Sequence, residues 1–338
     1  MKKILLFGLI VFYSFSQEAI QGTIYHDNLE REYILYIPNS YTGIESVPLV
    51  LNLHGYTSNA GEQMIYSNLT AIADTANFLL VHPMGTTNEY NEPFWNSWQL
   101  NDVDDIGFLS SLIDYLGNEY NVDLNRVYST GMSNGGYMSY TLACQLSEKI
   151  AAIASVTGSM YINQPIFCNP EHPIPVMQIH GTMDLTVPYT GSSTSESIDD
   201  VISYWVSFNE CSENASFFSL PDINTSDLCY AEHYIYSNGN NGASVELYKV
   251  INGGHTWPGA YIPLAGINTN QDFNASEKIW QFFSKYDLNG LIEITSINEE
   301  NLEKKIIGSY DILGKKNPKK GFYIELYNDG TTIKKYKL

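Results

Sequence analysis

Apolar and polar residues alternate in two short segments near the start of the chain, residues 22 to 25 and 32 to 37, on either side of the pair Asp27-Asn28. A period of two around turn-forming residues predicts an opening β-hairpin. The pattern then changes. Residues 47 to 53 are almost continuously apolar, as a strand buried on both faces of a parallel sheet must be, and they run into His54-Gly55-Tyr56. Residues 61 to 75 carry helical periodicity, 78 to 81 a second buried strand, 106 to 116 an amphipathic helix and 126 to 130 a third core strand. The rhythm continues with a helix after Asn134, strands at 151 to 156 and 176 to 179, a helix at 198 to 208, a strand pair around 238 to 242 and a helix at 276 to 286. Strands alternating with helices predict an α/β fold with a mostly parallel central sheet flanked by helices.

The texture shifts after Asn289-Gly290. From Leu291 onward short alternating pieces are separated by Gly-Lys-Lys-Asn-Pro and Asn328-Asp329-Gly330, which predicts a small C-terminal β module without catalytic residues of its own. Charge follows the same boundary. The net charge is -20, yet nine of the seventeen basic residues lie beyond Glu303, so the body is more acidic still. Such a surface repels nucleic acid and anionic membranes. At the other end, Lys2 and Lys3 precede an apolar run from Ile4 to Phe12 and the small residues Ser14 and Ser16. That is the layout of a secretory signal over residues 1 to 16, too short to span a bilayer. The expected organisation is therefore a signal peptide at 1–16, a catalytic domain at 17–290 and the β module at 291–338, with no membrane span in the mature chain.

Cys144, Cys168, Cys211 and Cys229 form an even set with no C-x-x-C pair, which in an exported chain favours disulfides over a metal site. Of the three connectivities, the local pairs Cys144 with Cys168 and Cys211 with Cys229 are expected. Each would stabilise by roughly 3 kcal/mol.

Chemistry concentrates at Gly131-Met132-Ser133-Asn134-Gly135-Gly136, placed after one predicted strand and before one predicted helix. A G-x-S-x-G sequence in that setting forms a tight elbow. Its glycines admit the turn, the serine is thrust outward, and the N–H of the next residue, Asn134, faces a developing oxyanion. A serine hydroxyl is a weak nucleophile and needs a base held in the right tautomer by a carboxylate. The chain order Ser, Asp, His directs attention to Asp184, just beyond the 176 to 179 strand, and to His255 in the glycine-rich loop at 252 to 259. His233 falls in an alternating strand, where a half-buried structural histidine is expected. Tyr56 N–H is the expected second oxyanion donor, and His54 is expected to brace that loop. Trp95, Trp98 and Trp257 either wall an acyl pocket or pack the core.

Taken together, these blocks resemble the secreted polyhydroxybutyrate depolymerase-like esterases, close to feruloyl and acetylxylan esterases. The resemblance runs over residues 20 to 290 through His54-Gly55, Val103 to Phe108, the Ser133 elbow, His180-Gly181-Thr182-Met183-Asp184 and Gly253 to Gly259. It implies an α/β-hydrolase fold and a cofactor-free, metal-free serine carboxylesterase using Ser133, Asp184 and His255. The absence of a linker and dedicated polymer-binding domain points to feruloyl or acetyl esters of polysaccharides, with polyester hydrolysis as the alternative; a peptidase or a silent surface-binding protein is less favoured. The tail, in Tyr310 to Lys316 and Gly321 to Ile324, resembles the sorting domain of type IX secretion, which implies that machinery as a partner and a secreted or cell-surface location.

Overall fold

The hairpin turn is made by two residues in the left-handed region, Asp27 (φ 48°) and Asn28 (φ 63°), so that His26 pairs directly with Leu29. This is the conformation that matches the twist of the flanking strands. In the computed structural model the described residues are 18–99, 101–264, 266–292, 306–311, 315–316, 321–327 and 332–337. The expected signal segment lies outside them. Strand β1 (Glu18–His26) and β2 (Leu29–Ile37) are followed by β3 (Val47–Leu53), helices α1 (Ala60–Ser67) and α2 (Thr70–Ala76), β4 (Leu79–Pro83) and the short pair β5 (Thr86–Thr87) and β6 (Pro93–Phe94). Then come α3 (Asp105–Glu119), β7 (Val122–Met132), α4 (Asn134–Gln145), β8 (Ala152–Val156), α5 (Gln164–Phe167), β9 (Val176–Gly181) and α6 (Ile198–Phe208). The remainder of this unit is β10 (Ser216–Ser219), β11 (Tyr230–Tyr236), β12 (Val245–Ile251), α7 (Ala275–Phe283), β13 (Tyr286–Asp287) and β14 (Gly290–Leu291).

Ten strands join in the order β1-β2-β4-β3-β7-β8-β9-β12-β11-β10. The run from β4 to β12 is parallel throughout, and the strands outside it are antiparallel. The predicted α/β architecture is thus borne out. Side-chain alternation divides the core between the two faces of the sheet. Leu49, Leu51 and Leu53 of β3 pack into a cluster with α3, α4 and α6, whereas Val50 joins a second cluster with α2 and α7. Every residue of β3 is buried, including Asn52, whose amide bonds Ser67 Oγ and accepts from Gln63.

Two expectations need correction. The periodic stretch from 61 to 75 is two helices, because Asn68 takes a left-handed cap (φ 50°, ψ 34°) and ends α1 before α2 begins. Cys144 and Cys168 are joined by a disulfide, but Cys211 and Cys229 are both free and buried. Their pairing fails for a topological reason: Cys211 belongs to the first core cluster and Cys229 to the second, on opposite faces of the sheet.

The chain divides into two units, residues 1–292 and 293–338. Within the second, β15 (Ile306–Asp311), β16 (Gly321–Tyr327) and β17 (Thr332–Lys337) form a three-stranded antiparallel sheet, in keeping with the alternating pattern of the tail. Among the described residues no helix is long and apolar enough to cross a membrane.

Candidate active site

Ser133 stands between the end of β7 and the start of α4 with φ 53° and ψ -118°, a conformation that costs an L-residue on the order of 1–3 kcal/mol. Three features hold it there. Its N–H donates to the Val156 carbonyl at 2.8 Å, and its carbonyl accepts from Tyr137 N–H at 3.0 Å. Gly135 lets α4 approach β3 so closely that a Cβ at that position would lie 2.2 Å from the Leu53 carbonyl oxygen. As the first residue of α4, Asn134 has an N–H without an intrahelical acceptor. Its side chain is engaged separately, accepting from Trp95 N–H at 2.6 Å and donating to Trp95 O at 3.1 Å and Ser97 Oγ at 3.2 Å.

Asp184 and His255 meet although they are far apart in sequence. Asp184 lies just past β9, where its Oδ1 accepts from the N–H groups of Thr186 and Val187 at 2.9 and 2.8 Å. Its Oδ2 lies 2.7 Å from His255 Nδ1, so Nδ1 carries the proton and Nε2 is left with its lone pair. Gly181 allows the acid and histidine loops to touch: a Cβ there would be 2.2 Å from Gly253 O. His180 lies beneath, fully buried, with Nδ1 accepting from Gln178 and Nε2 donating to Val187 O at 2.8 Å, 3.4 Å from Asp184 Oδ2. Burial pushes its pKa below the ordinary histidine value, so it brings no competing cation to the carboxylate.

Ser133 and His255 line one cavity of about 500 Å³, together with Tyr56, Tyr66, Ile262 and Leu264 among others. Ser133 also lines a second cavity of about 470 Å³ with Tyr56, Asn134, Phe94, Trp98 and Tyr137. Trp95 borders this second space while remaining almost wholly buried, its Nε1 donating to His54 O. Trp257 does not border either cavity. It is 1 % exposed, donates from Nε1 to Ser276 Oγ at 3.1 Å and from its backbone N–H to the Tyr66 hydroxyl oxygen at 3.2 Å, so it anchors the histidine loop to α7 and α1. Of the two readings open for Trp257, its burial and hydrogen bonds favour core packing over a place in the pocket wall. Its aromatic character could not distinguish the two uses.

The loop bearing Tyr56 is braced by His54, whose Nδ1 donates to Gly55 O at 2.8 Å and whose Nε2 accepts from Gly85 N–H at 3.0 Å. Burial lowers the His54 pKa to about 4, so the ring is neutral and its acceptor nitrogen is available. His233 is structural, as expected: it stacks on Tyr248 at 3.9 Å and meets Glu246 at 2.8 Å. Sequence reasoning gave no role to Asp105, which the structure makes central to the aromatic wall. It is buried against Arg31 at 2.6 Å, and its other oxygen accepts from Asn96 N–H at 2.7 Å. The available signal was an arginine on the inward-facing register of β2, between the exposed Glu30 and Glu32, with an acidic pair, Asp104-Asp105, at a later helix start.

Residues 31–168 match the family model described as Esterase PHB depolymerase. A bifunctional acetylxylan esterase/xylanase from Neocallimastix patriciarum is 30% identical over 47% of this chain and 22% of its own length. Feruloyl esterase B from Piromyces equi is 27% identical over 67% of this chain and 42% of its own. The chain thus spans less than half of either relative. Among solved structures, an acetyl xylan esterase from Aspergillus awamori superposes with a TM-score of 0.56 at 14% identity, over 79% of this chain and 99% of that one. The fold is that of the α/β-hydrolases. In an α/β-hydrolase sheet, groups gathered at the carboxyl ends of parallel strands share one crevice, and Ser133, Asp184 and His255 all follow such strand ends, β7, β9 and β12.

Proposed function

We propose that this protein is a serine carboxylic ester hydrolase that works through an acyl-enzyme. The observation that carries the proposal is the pairing of Asp184 with His255 at 2.7 Å, with His255 and the strained Ser133 bordering the same cavity. Ser133 Oγ attacks the ester carbonyl carbon as His255 Nε2 takes the hydroxyl proton, and the N–H groups of Asn134 and Tyr56 stabilise the oxyanion. His255 then delivers that proton to the departing alkoxide. A water, activated by the same nitrogen, breaks the Ser133 ester and restores the free hydroxyl.

The substrates are feruloyl or acetyl esters of polysaccharides. Supporting this are the named activities of the relatives and an aromatic-walled cavity beside the nucleophile. Polyester oligomers are the second reading, favoured by the family match over residues 31–168. Export from the cytoplasm is part of the proposal, supported by the Cys144–Cys168 disulfide. Delivery by the type IX machinery through the lysine-rich β module completes it.

The test is hydrolysis of methyl ferulate, acetylated xylan, a p-nitrophenyl ester and a hydroxybutyrate oligomer, each with Ser133→Ala alongside. Selective turnover of the first two, lost in the variant, is the expected result. Preference for the oligomer would transfer the assignment to polyesters, and the absence of Ser133-dependent turnover on all four would overturn it.

A further inference from the structure

The two cavities at Ser133 differ in one respect that fixes how an ester must lie. Ser133 and Tyr56 border both; His255 borders the one that includes Tyr66, Ile262 and Leu264, while Asn134 borders the one that includes Phe94, Trp98 and Tyr137. If Ser133 is the nucleophile and His255 its base, as proposed above, the tetrahedral carbon carries four groups: Ser133 Oγ, the oxyanion, the departing oxygen and the acyl carbon. The departing oxygen must receive its proton from His255 and so must lie on the histidine's side. The oxyanion is directed at the Asn134 and Tyr56 amides. One direction then remains for the acyl carbon, away from His255.

From this we infer that the ester is divided between the two cavities, with its acyl group in the space walled by Phe94, Trp98 and Tyr137 and its alcohol in the space bordered by Tyr66, Ile262 and Leu264. The composition of each fits its share. On the acyl side, Trp98 meets Tyr137 edge to face, with ring centroids 6.0 Å apart and planes at 81°, which makes an aromatic corner for a flat or short acyl chain. The floor of that corner is fixed, because Asn134 clamps Trp95 and Ser97, and the Tyr137 hydroxyl bonds Ser195 at 2.5 Å. On the alcohol side, exposed Ile65 and Ile262 sit near Glu62 and Ser58, whose side chains bond each other at 2.8 Å. Apolar faces beside hydroxyl-bonding groups suit a carrier that presents ring faces and hydroxyls, such as a glycosyl residue.

Trp98 and Ile262 are thus the specificity-determining residues for acyl group and alcohol respectively. They are 36 % and 63 % exposed, so truncating them leaves the core intact. Deacylation separates the two cavities cleanly, since the alcohol has left before that step begins. For Trp98→Ala, the ratio of kcat/KM for cinnamoyl over acetyl p-nitrophenyl esters should shift about tenfold, the discrimination a single pocket contact commonly carries. Its deacylation rate constant, read after the burst, should change with it. Ile262→Ala should leave deacylation within twofold of the parent and instead alter, by a similar factor, the preference between methyl and glycosyl acetates. The opposite assignment, Ile262→Ala changing deacylation while Trp98→Ala changes only the alcohol preference, would overturn the inference. So would both variants leaving both ratios unmoved. Failure of the underlying esterase reading is distinguishable, because it would appear in the parent as no ester turnover at all, or as turnover that persists in Ser133→Ala.

Discussion

The strand ends that carry Ser133, Asp184 and His255 and the loops that wall the cavities are held by different means. The first region is fixed by backbone. Parallel strands place the three turns side by side, Gly135 and Gly181 allow contacts that any Cβ would block, and the Ser133 elbow is pinned through its own N–H and carbonyl. The second region is fixed by side chains: Asn134 on Trp95 and Ser97, Asp105 on Asn96, His54 on Gly85. If the proposed function holds, chemistry rests on the sheet, while substrate choice rests on a few polar clamps that substitution can release one at a time.

The comparison is broken most severely at the strand ends. Ser133→Ala and Asp184→Asn should each lower kcat by about 10⁴-fold or more while leaving the thermal midpoint nearly unchanged, because neither holds the sheet together. Parallel kinetic and calorimetric measurements would check this, and a large drop in midpoint for Ser133→Ala would show the elbow to be structural as well.

Arg31→Ala acts on the other region through its foundation. The variant strands a buried Asp105 carboxylate, whose pKa burial already raises, and should cost about 3–5 kcal/mol in urea unfolding. Asn134→Ala removes only the clamp. It should cost about 1–3 kcal/mol and should change the acyl preference more than the rate on a small acetyl ester, which a two-substrate comparison would reveal.

The most gradual effect is in pH. Burial lowers the pKa of His54 to about 4 and of His82 to about 3, against an ordinary 6.5. Below pH 6.5 the unfolded chain takes up protons that the native chain refuses, so stability falls as pH drops from 6.5 toward those values. The slope is roughly 1.4 kcal/mol per pH unit for each ring. Melting midpoints between pH 7.5 and 5 that show no loss below 6.5 would contradict it.

Much of the strand-end region was legible in the chain because its constraints are local. A short, nearly continuous apolar run such as 47 to 53 reads as a buried strand, and Gly131 to Gly136 between a strand and a helix reads as a sharp turn. The placement of Asp184 and His255 followed from strand ends and chain order. The wall region resisted because its contacts are long-range and conditional. Nothing local says that Asp105 faces Arg31, that Trp257 anchors to Ser276 while Trp98 borders a cavity, or that Cys211 and Cys229 lie on opposite faces of the sheet. The break at Asn68 was hidden because the left-handed conformation that ends α1 there leaves no mark in the apolar and polar pattern.

The central claim is that Ser133 becomes acylated with His255 as its base. Intact and peptide mass spectrometry of the protein quenched during the burst with a p-nitrophenyl ester tests it most directly. The account predicts one acyl group per chain on Ser133, strongly reduced in His255→Ala and absent in Ser133→Ala. Turnover without any adduct on Ser133, or an adduct that forms equally well without His255, would contradict it.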